Sequence, residues 1–191
     1  MNRKLPALFL GILLIATLNC SDPTSPSSGR VNVLLTDAPI DLSTVNAVNV
    51  TIDEMILFER EDDAEGGMEM ALPGLSAGEG LTVNLLDYQN GATLVIASLD
   101  VPVGDYQKLR MIVSEAHLLM EDPDDPTLEI MEPIFVPSGK VDVPVTFTVS
   151  GGETTDVTID FDAELSVQVN ETGNHRYILR PVIVPVGVSS Y

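Results

Sequence analysis

The stretch "VTIDFDAELSVQV", residues 157–169, decides how this chain is read. Val157, Ile159, Phe161, Ala163, Leu165, Val167 and Val169 alternate with polar or charged residues, a period of two rather than 3.6. Successive side chains of a β-strand point to opposite faces, so such a segment has one dry side and one wet side. Residues 141–149, "VDVPVTFTV", repeat the pattern through Val141, Val143, Val145, Phe147 and Val149.

Working outward, the same period predicts strands at Val31–Asp37, Val45–Phe58, Leu81–Leu86, Thr93–Ser98, Gln107–Met120 and Tyr177–Val186. Between them fall "TDAPID", "QNG", "VPVGDY", "VPSG", "SGGE" and "NETGN", rich in the Gly, Pro, Asn and Asp that reversals need. Strands that are apolar on one face must close over one another. The expectation is all-β, a single β-sandwich of about seven to nine mostly antiparallel strands. Helix is absent from this reading apart from a short candidate at Ala92–Ser98. Pro144, Pro181 and Pro185 cannot donate ladder hydrogen bonds, which places their strands at edges or bulges.

The first residues read differently. Arg3 and Lys4 precede an apolar run of 14 residues, Leu5 to Leu18, too short for a membrane span of about 20 residues but suited to a secretory signal. The run ends at Cys20, the chain's single cysteine, and the segment resembles a bacterial lipoprotein signal. In such signals the cysteine becomes the first mature residue and carries acyl chains. The resemblance departs at Asn19, where a small residue is usual, and at Thr17, where Leu is usual. With no second cysteine, no disulfide can form within the chain, and a lipid anchor accounts for the lone thiol. The "SDPTSPSS" that follows cannot bury a core and reads as a tether of roughly 25 Å. The organisation expected is a signal over 1–19, lipidated Cys20 and tether over 20–28, and the β-domain over 29–188. The resemblance to such signals also implies an address in the cell envelope, at the outer membrane where the organism has one, since an Asp directly after the cysteine goes with inner-membrane retention and Ser21 takes that place here.

Charge excludes one class of partner. Loss of Arg3 and Lys4 with the signal moves the formal charge from −20 to −22. Nucleic-acid binding needs clustered Lys and Arg to displace counterions, so no nucleic-acid partner is expected.

Several motifs in order, "GRVNVLLTDAPID", "VNVTIDEM", "TVNLLDYQNGA", "VPVGDYQKLRMIV", "VPSGKVDV", "VTIDFDAELSV" and "YILRPVI", resemble the bacterial and archaeal domain-of-unknown-function family 4382 over about residues 29–186. The resemblance implies an exported, often lipid-anchored all-β domain and carries over no catalytic residue. "VPVGDY" is also similar to turns in transthyretin-like and carboxypeptidase-regulatory sandwiches, an analogy about fold alone.

Chemistry is sparse. "GLSAG", Gly74 to Gly78, fits the nucleophile-elbow pattern, but Ser76 precedes a strand rather than the helix that pattern requires. His117 and His175 lack metal-ligand spacing. Asp156, Asp160, Asp162 and Glu164 differ by even numbers and so are expected to share one face of a single strand, with neighbours on that face about 6.8 Å apart. That row repels itself unless water, a cation or basic neighbours such as Lys108 and Arg110 screen it. Ca²⁺, which takes about six to eight oxygens, would need donors from another loop, and Asp37 and Asp41 in "TDAPID" are nearest in type. The metal candidates are therefore Asp37, Asp41, Asp160 and Asp162. For glycan stacking there is no Trp, and Tyr88 and Tyr106 adjoin turns. The expected function is a non-catalytic envelope module that binds a protein or glycan; the alternatives are a carboxylate- or metal-dependent hydrolase and a structural spacer.

Cys20→Ser should move the full chain from the membrane to the soluble fraction and abolish labelling by radioactive palmitate. Retention in the membrane fraction would sink the anchor.

Overall fold

The computed structural model describes residues 26–37, 45–60, 66–75, 78–169 and 176–191. The expected signal, Cys20 and most of the expected tether lie outside the described residues, as do Asp41, Ser76 and His175.

Among the described residues twelve strands form two sheets. They are β1 (Ser28–Thr36), β2 (Val45–Glu59), β3 (Met68–Met70), β4 (Leu81–Asn84), β5 (Leu94–Pro102), β6 (Gly104–Glu121), β7 (Glu129–Phe135), β8 (Lys140–Val149), β9 (Thr154–Phe161), β10 (Val167–Val169), β11 (Tyr177–Leu179) and β12 (Ile183–Ser190). One sheet has the order β12-β9-β1-β5, with β9 parallel to β1 and the other pairs antiparallel. The other runs β10-β11-β7-β6-β2-β3, with β4 also on β2 and β8 also on β6. The two sheets pack as the all-β sandwich the periodicity predicts.

The larger sheet is organised by its two longest strands. β2 pairs with β6 along nearly its whole length, and register shifts at four places bend the ribbon. Each then meets two partners in succession along its other edge: β2 takes β4 and β3, and β6 takes β8 and β7.

Alternation delivers the core. Val31, Val33 and Leu35 from β1, Val157, Ile159 and Phe161 from β9, and Val143, Val145, Phe147 and Val149 from β8 are buried between the sheets. Each such side chain contributes roughly 1.5–3 kcal/mol when fully removed from water. The wet face of the smaller sheet carries a polar ladder instead. Ser98 donates to Asn32, Asn32 donates to Asp156, and Arg30 forms a two-bond ion pair with Asp100.

Four local expectations are corrected. The stretch 157–169 is not one strand: β9 stops at Phe161, Asp162 caps a one-turn helix α1 (Ala163–Ser166), and β10 joins the other sheet. The Asp162 side chain accepts the Leu165 N–H at 2.8 Å, a helix N-cap that competes with extension. Leu165 and Val169, apolar members of the alternation, are consequently exposed. Tyr177–Val186 likewise splits, β11 lying in the larger sheet and β12 in the smaller. Leu81–Leu86 is strand only to Asn84, whose side chain caps a 3-10 turn over Leu85–Tyr88. The candidate helix at Ala92–Ser98 is instead the start of β5, preceded by the "QNG" turn, where Asn90 and Gly91 both adopt positive φ. These splits, with β3 and β7, raise the strand number above seven to nine.

Pro144 and Pro185 sit where their missing N–H requires, whereas Pro181 lies in no strand but in the passage between β11 and β12. β12 is an edge strand with a bulge between Pro185 and Gly187, and β8, with Pro144, pairs only with β6 among the described residues.

Phe161→Ala should cost about 3–5 kcal/mol in denaturant unfolding, the loss expected for a fully buried aromatic. Val184→Ala on the exposed face of β12 should change stability by less than about 0.5 kcal/mol. Equal costs would contradict the placement of the core.

Candidate functional site

The acids singled out from the sequence separate into two groups. Asp156 belongs to the polar ladder of β9 and β1, accepting from Asn32 at 2.8 Å and from the Tyr191 hydroxyl at 3.4 Å. Asp37, Asp160 and Asp162 gather at the opposite end of β9, where the chain leaves the smaller sheet.

Asp37 is only 3% exposed. Its Oδ1 accepts the Ala163 N–H at 2.9 Å and its Oδ2 accepts from Gln89 at 3.3 Å. One carboxylate therefore ties the end of β1 to the first residue of α1 and to the turn before β5. Burial raises the Asp37 pKa above its ordinary value; its two hydrogen bonds oppose the shift, and the nearby charges of Asp160 and Asp162 add to it. The arrangement gathers three of the four acids named as metal donors; the fourth, Asp41, lies outside the described residues. No group of three His, Cys, Asp or Glu placed to hold a metal ion occurs among the described residues.

Ser166 completes this clasp. Fully buried, it accepts the Arg180 N–H on its carbonyl and the Val182 N–H on its hydroxyl, each at 2.8 Å. Both passages of the chain between sheets, β9 to β10 and β11 to β12, are thus bonded to each other.

Tyr106 is corrected as a stacking platform. It is fully buried, its ring stacks on Phe147 at 5.6 Å between centroids, and its hydroxyl donates to the Pro102 carbonyl. Burial, with the Glu59 charge adding to it, pushes its pKa up to about 12. Tyr88 is half-buried against the core, and its carbonyl accepts from the Asp37 N–H and the Thr36 hydroxyl.

Lys108 and Arg110 do not screen the row on β9. Arg110 grips Asp142 with two hydrogen bonds and Lys108 approaches the same carboxylate at 3.8 Å, all on the outer face of β6 and β8. The Arg110 hydrogen bonds lead in holding Asp142 below the usual carboxylate range, and the Lys108 charge adds to them. Beside them both cations lie over the buried Phe58 ring, Lys108 Nζ at 4.0 Å from its centroid.

Two features of the larger sheet were not read from the sequence. Met131, Pro133 and Phe135 project outward from β7, with Met131 64% and Phe135 42% exposed, while Ile134 on the other face is buried. The segment "EIMEPIF" has apolar residues on both faces and so lacks the alternation that marked the other strands. Beside Phe135, β7 leaves β6 to pair with β11, and the parting leaves an open cleft of about 490 Å³ lined by Ser114 to His117 and Pro133 to Val136. A second cleft of about 600 Å³ lies between the start of β8 and the Leu179–Val182 passage, with Lys140 and Arg180 among its lining residues. Their proximity depends on a fold that joins positions far apart in sequence.

Fold and surface define an all-β sandwich domain with open clefts on its larger sheet. The chain belongs to the family described as "Domain of unknown function (DUF4382)", whose model matches residues 28–181. No curated protein and no solved structure matches the chain.

For Asp37, the sign of the pH dependence follows from its raised pKa. An acid whose folded pKa exceeds its unfolded value favours the protonated native state, so ionisation costs stability once pH passes the unfolded pKa near 3.8. That cost grows until pH passes the folded pKa, then stays constant. Asp37→Asn keeps an acceptor for Ala163 and removes the charge. Its melting temperature should gain on the wild type as pH rises from about 4 to 7. A pH-independent difference would contradict a buried, charge-penalised carboxylate.

Proposed function

We propose that this chain is an exported, lipid-anchored module of the cell envelope that works by binding a partner protein. The observation that carries this reading is the outward row of Met131, Pro133 and Phe135 on β7. A sheet face turned to solvent ordinarily alternates to polar residues, as the smaller sheet does with Asn32, Asp156 and Ser98. An apolar row there, bordered by a cleft, suits a surface that is covered by a partner. Anchoring through Cys20 and the Ser/Pro tether would hold that surface a short distance from the lipid, at the outer membrane of an organism with two membranes. High negative charge, −20 over the whole chain, suits a protein kept soluble on a crowded surface.

Cross-linking of intact cells that produce the full chain tests the reading. Met131→Lys combined with Phe135→Ser should remove the cross-linked partner, and Met131→Lys alone, at the more exposed position, should shift unfolding stability by less than about 0.5 kcal/mol. A cross-linked species that survives both changes would reject β7 as the binding face.

A further inference from the structure

We infer that the cleft between β8 and the Leu179–Val182 passage is a slot for an extended acidic peptide, which adds as a strand to the free edge of β8. This rests on the reading of the chain as a binding module but uses a surface other than Met131 and Phe135.

Backbone parity supplies the first argument. The Val113 N–H donates to the Gly139 carbonyl at 2.7 Å, and Met111 faces Val141 two residues further along the same ladder. In an antiparallel pair, hydrogen-bonded and non-hydrogen-bonded positions alternate. Lys140 and Asp142, opposite Ile112 and Arg110, therefore turn their N–H and C=O groups away from β6. Pro144 has the same parity, and its lack of an N–H suits a position facing away from the ladder. On that side β8 has no strand partner among the described residues, and Lys140, Val141 and Asp142 line the cleft. Outward peptide groups along a cleft wall are what strand addition recognises.

Charge supplies the second argument. The chain has nine Lys and Arg against 29 Asp and Glu. Four of the nine lie here: Lys140 and Arg180 line the cleft, and Lys108 and Arg110 stand behind it on Asp142. Asp142 is held by Arg110 and Lys108, and the Lys140 charge also acts on it, but no carboxylate among the described residues is within 4.0 Å of Lys140 or Arg180. A strongly acidic protein thus presents a local excess of positive charge beside an open strand edge. Val141, Leu179 and Pro181 give the slot apolar walls, which suit aliphatic side chains alternating with the acids.

The test uses the full chain in detergent and a fluorescent acetyl-Glu-Val-Glu-Val-amide probe, read by anisotropy. Binding is expected, with Lys140→Glu and Arg180→Glu each weakening it about tenfold and Lys140→Arg retaining it. A probe with N-methylated amides, unable to pair along an edge, should lose binding. No binding of the unmodified probe, binding unchanged by the glutamate variants, or equal binding of the N-methylated probe overturns the proposal. So does preferential binding of free glutarate, which would make the cleft a small-anion site. A dimer in sedimentation that dissociates on Arg180→Glu would give the slot to a second copy and overturn it as well. Cross-linking at Met131 and Phe135 reads the binding-module proposal independently, so failure of the slot and failure of that reading are distinguishable.

Discussion

The sandwich depends on a buried clasp at the two places where the chain passes between sheets. Asp37 holds the Ala163 N–H, and Ser166 holds the Arg180 and Val182 N–H groups, so both passages and the end of β1 form one hydrogen-bonded unit. Peptide groups leaving one ladder before entering another would otherwise be buried without partners, at roughly 1–3 kcal/mol each. Among the described residues the buried polar ones are Asp37, Ser166 and Thr155, and two of these three belong to the clasp, which makes it the main polar feature of the described interior.

The clasp also shapes the surface. Because it fixes the Arg180–Val182 passage against α1, Arg180 is brought beside the start of β8, and the cleft opens between them. The long ribbon of β2 and β6 governs the other side. β6 is long enough to take β8 and then β7 on one edge, and the parting of β7 from β6 opens the cleft beside Phe135. Surface features that suit binding therefore follow from how edges are shared.

Much of the fold was legible. Alternation in β1, β8 and β9 marks the same residues that the core buries, and Pro144 and Pro185 mark an edge and a bulge. The N-cap at Asp162, with Glu164 in the first turn, was also present in the sequence, but Leu165, Val167 and Val169 continue the alternation and mask it. The candidate site was less legible. Tyr106 adjoins a turn, yet its ring is the largest fully buried side chain, because its hydroxyl finds the Pro102 carbonyl inside the core.

The sequence by itself determined an all-β chain, the faces of most strands, an acidic surface and family membership. A period of two records which side of a strand is dry, because that is a property of each residue. It does not record which strand lies alongside, since either sheet offers the same apolar inner face. Only the tertiary structure decided that 157–169 divides between sheets, that Tyr177–Val186 does the same, and that Lys140 and Arg180 meet across a cleft. Those outcomes rest on hydrogen bonds such as Asp37 to Ala163, whose partners are brought together only by the folded chain.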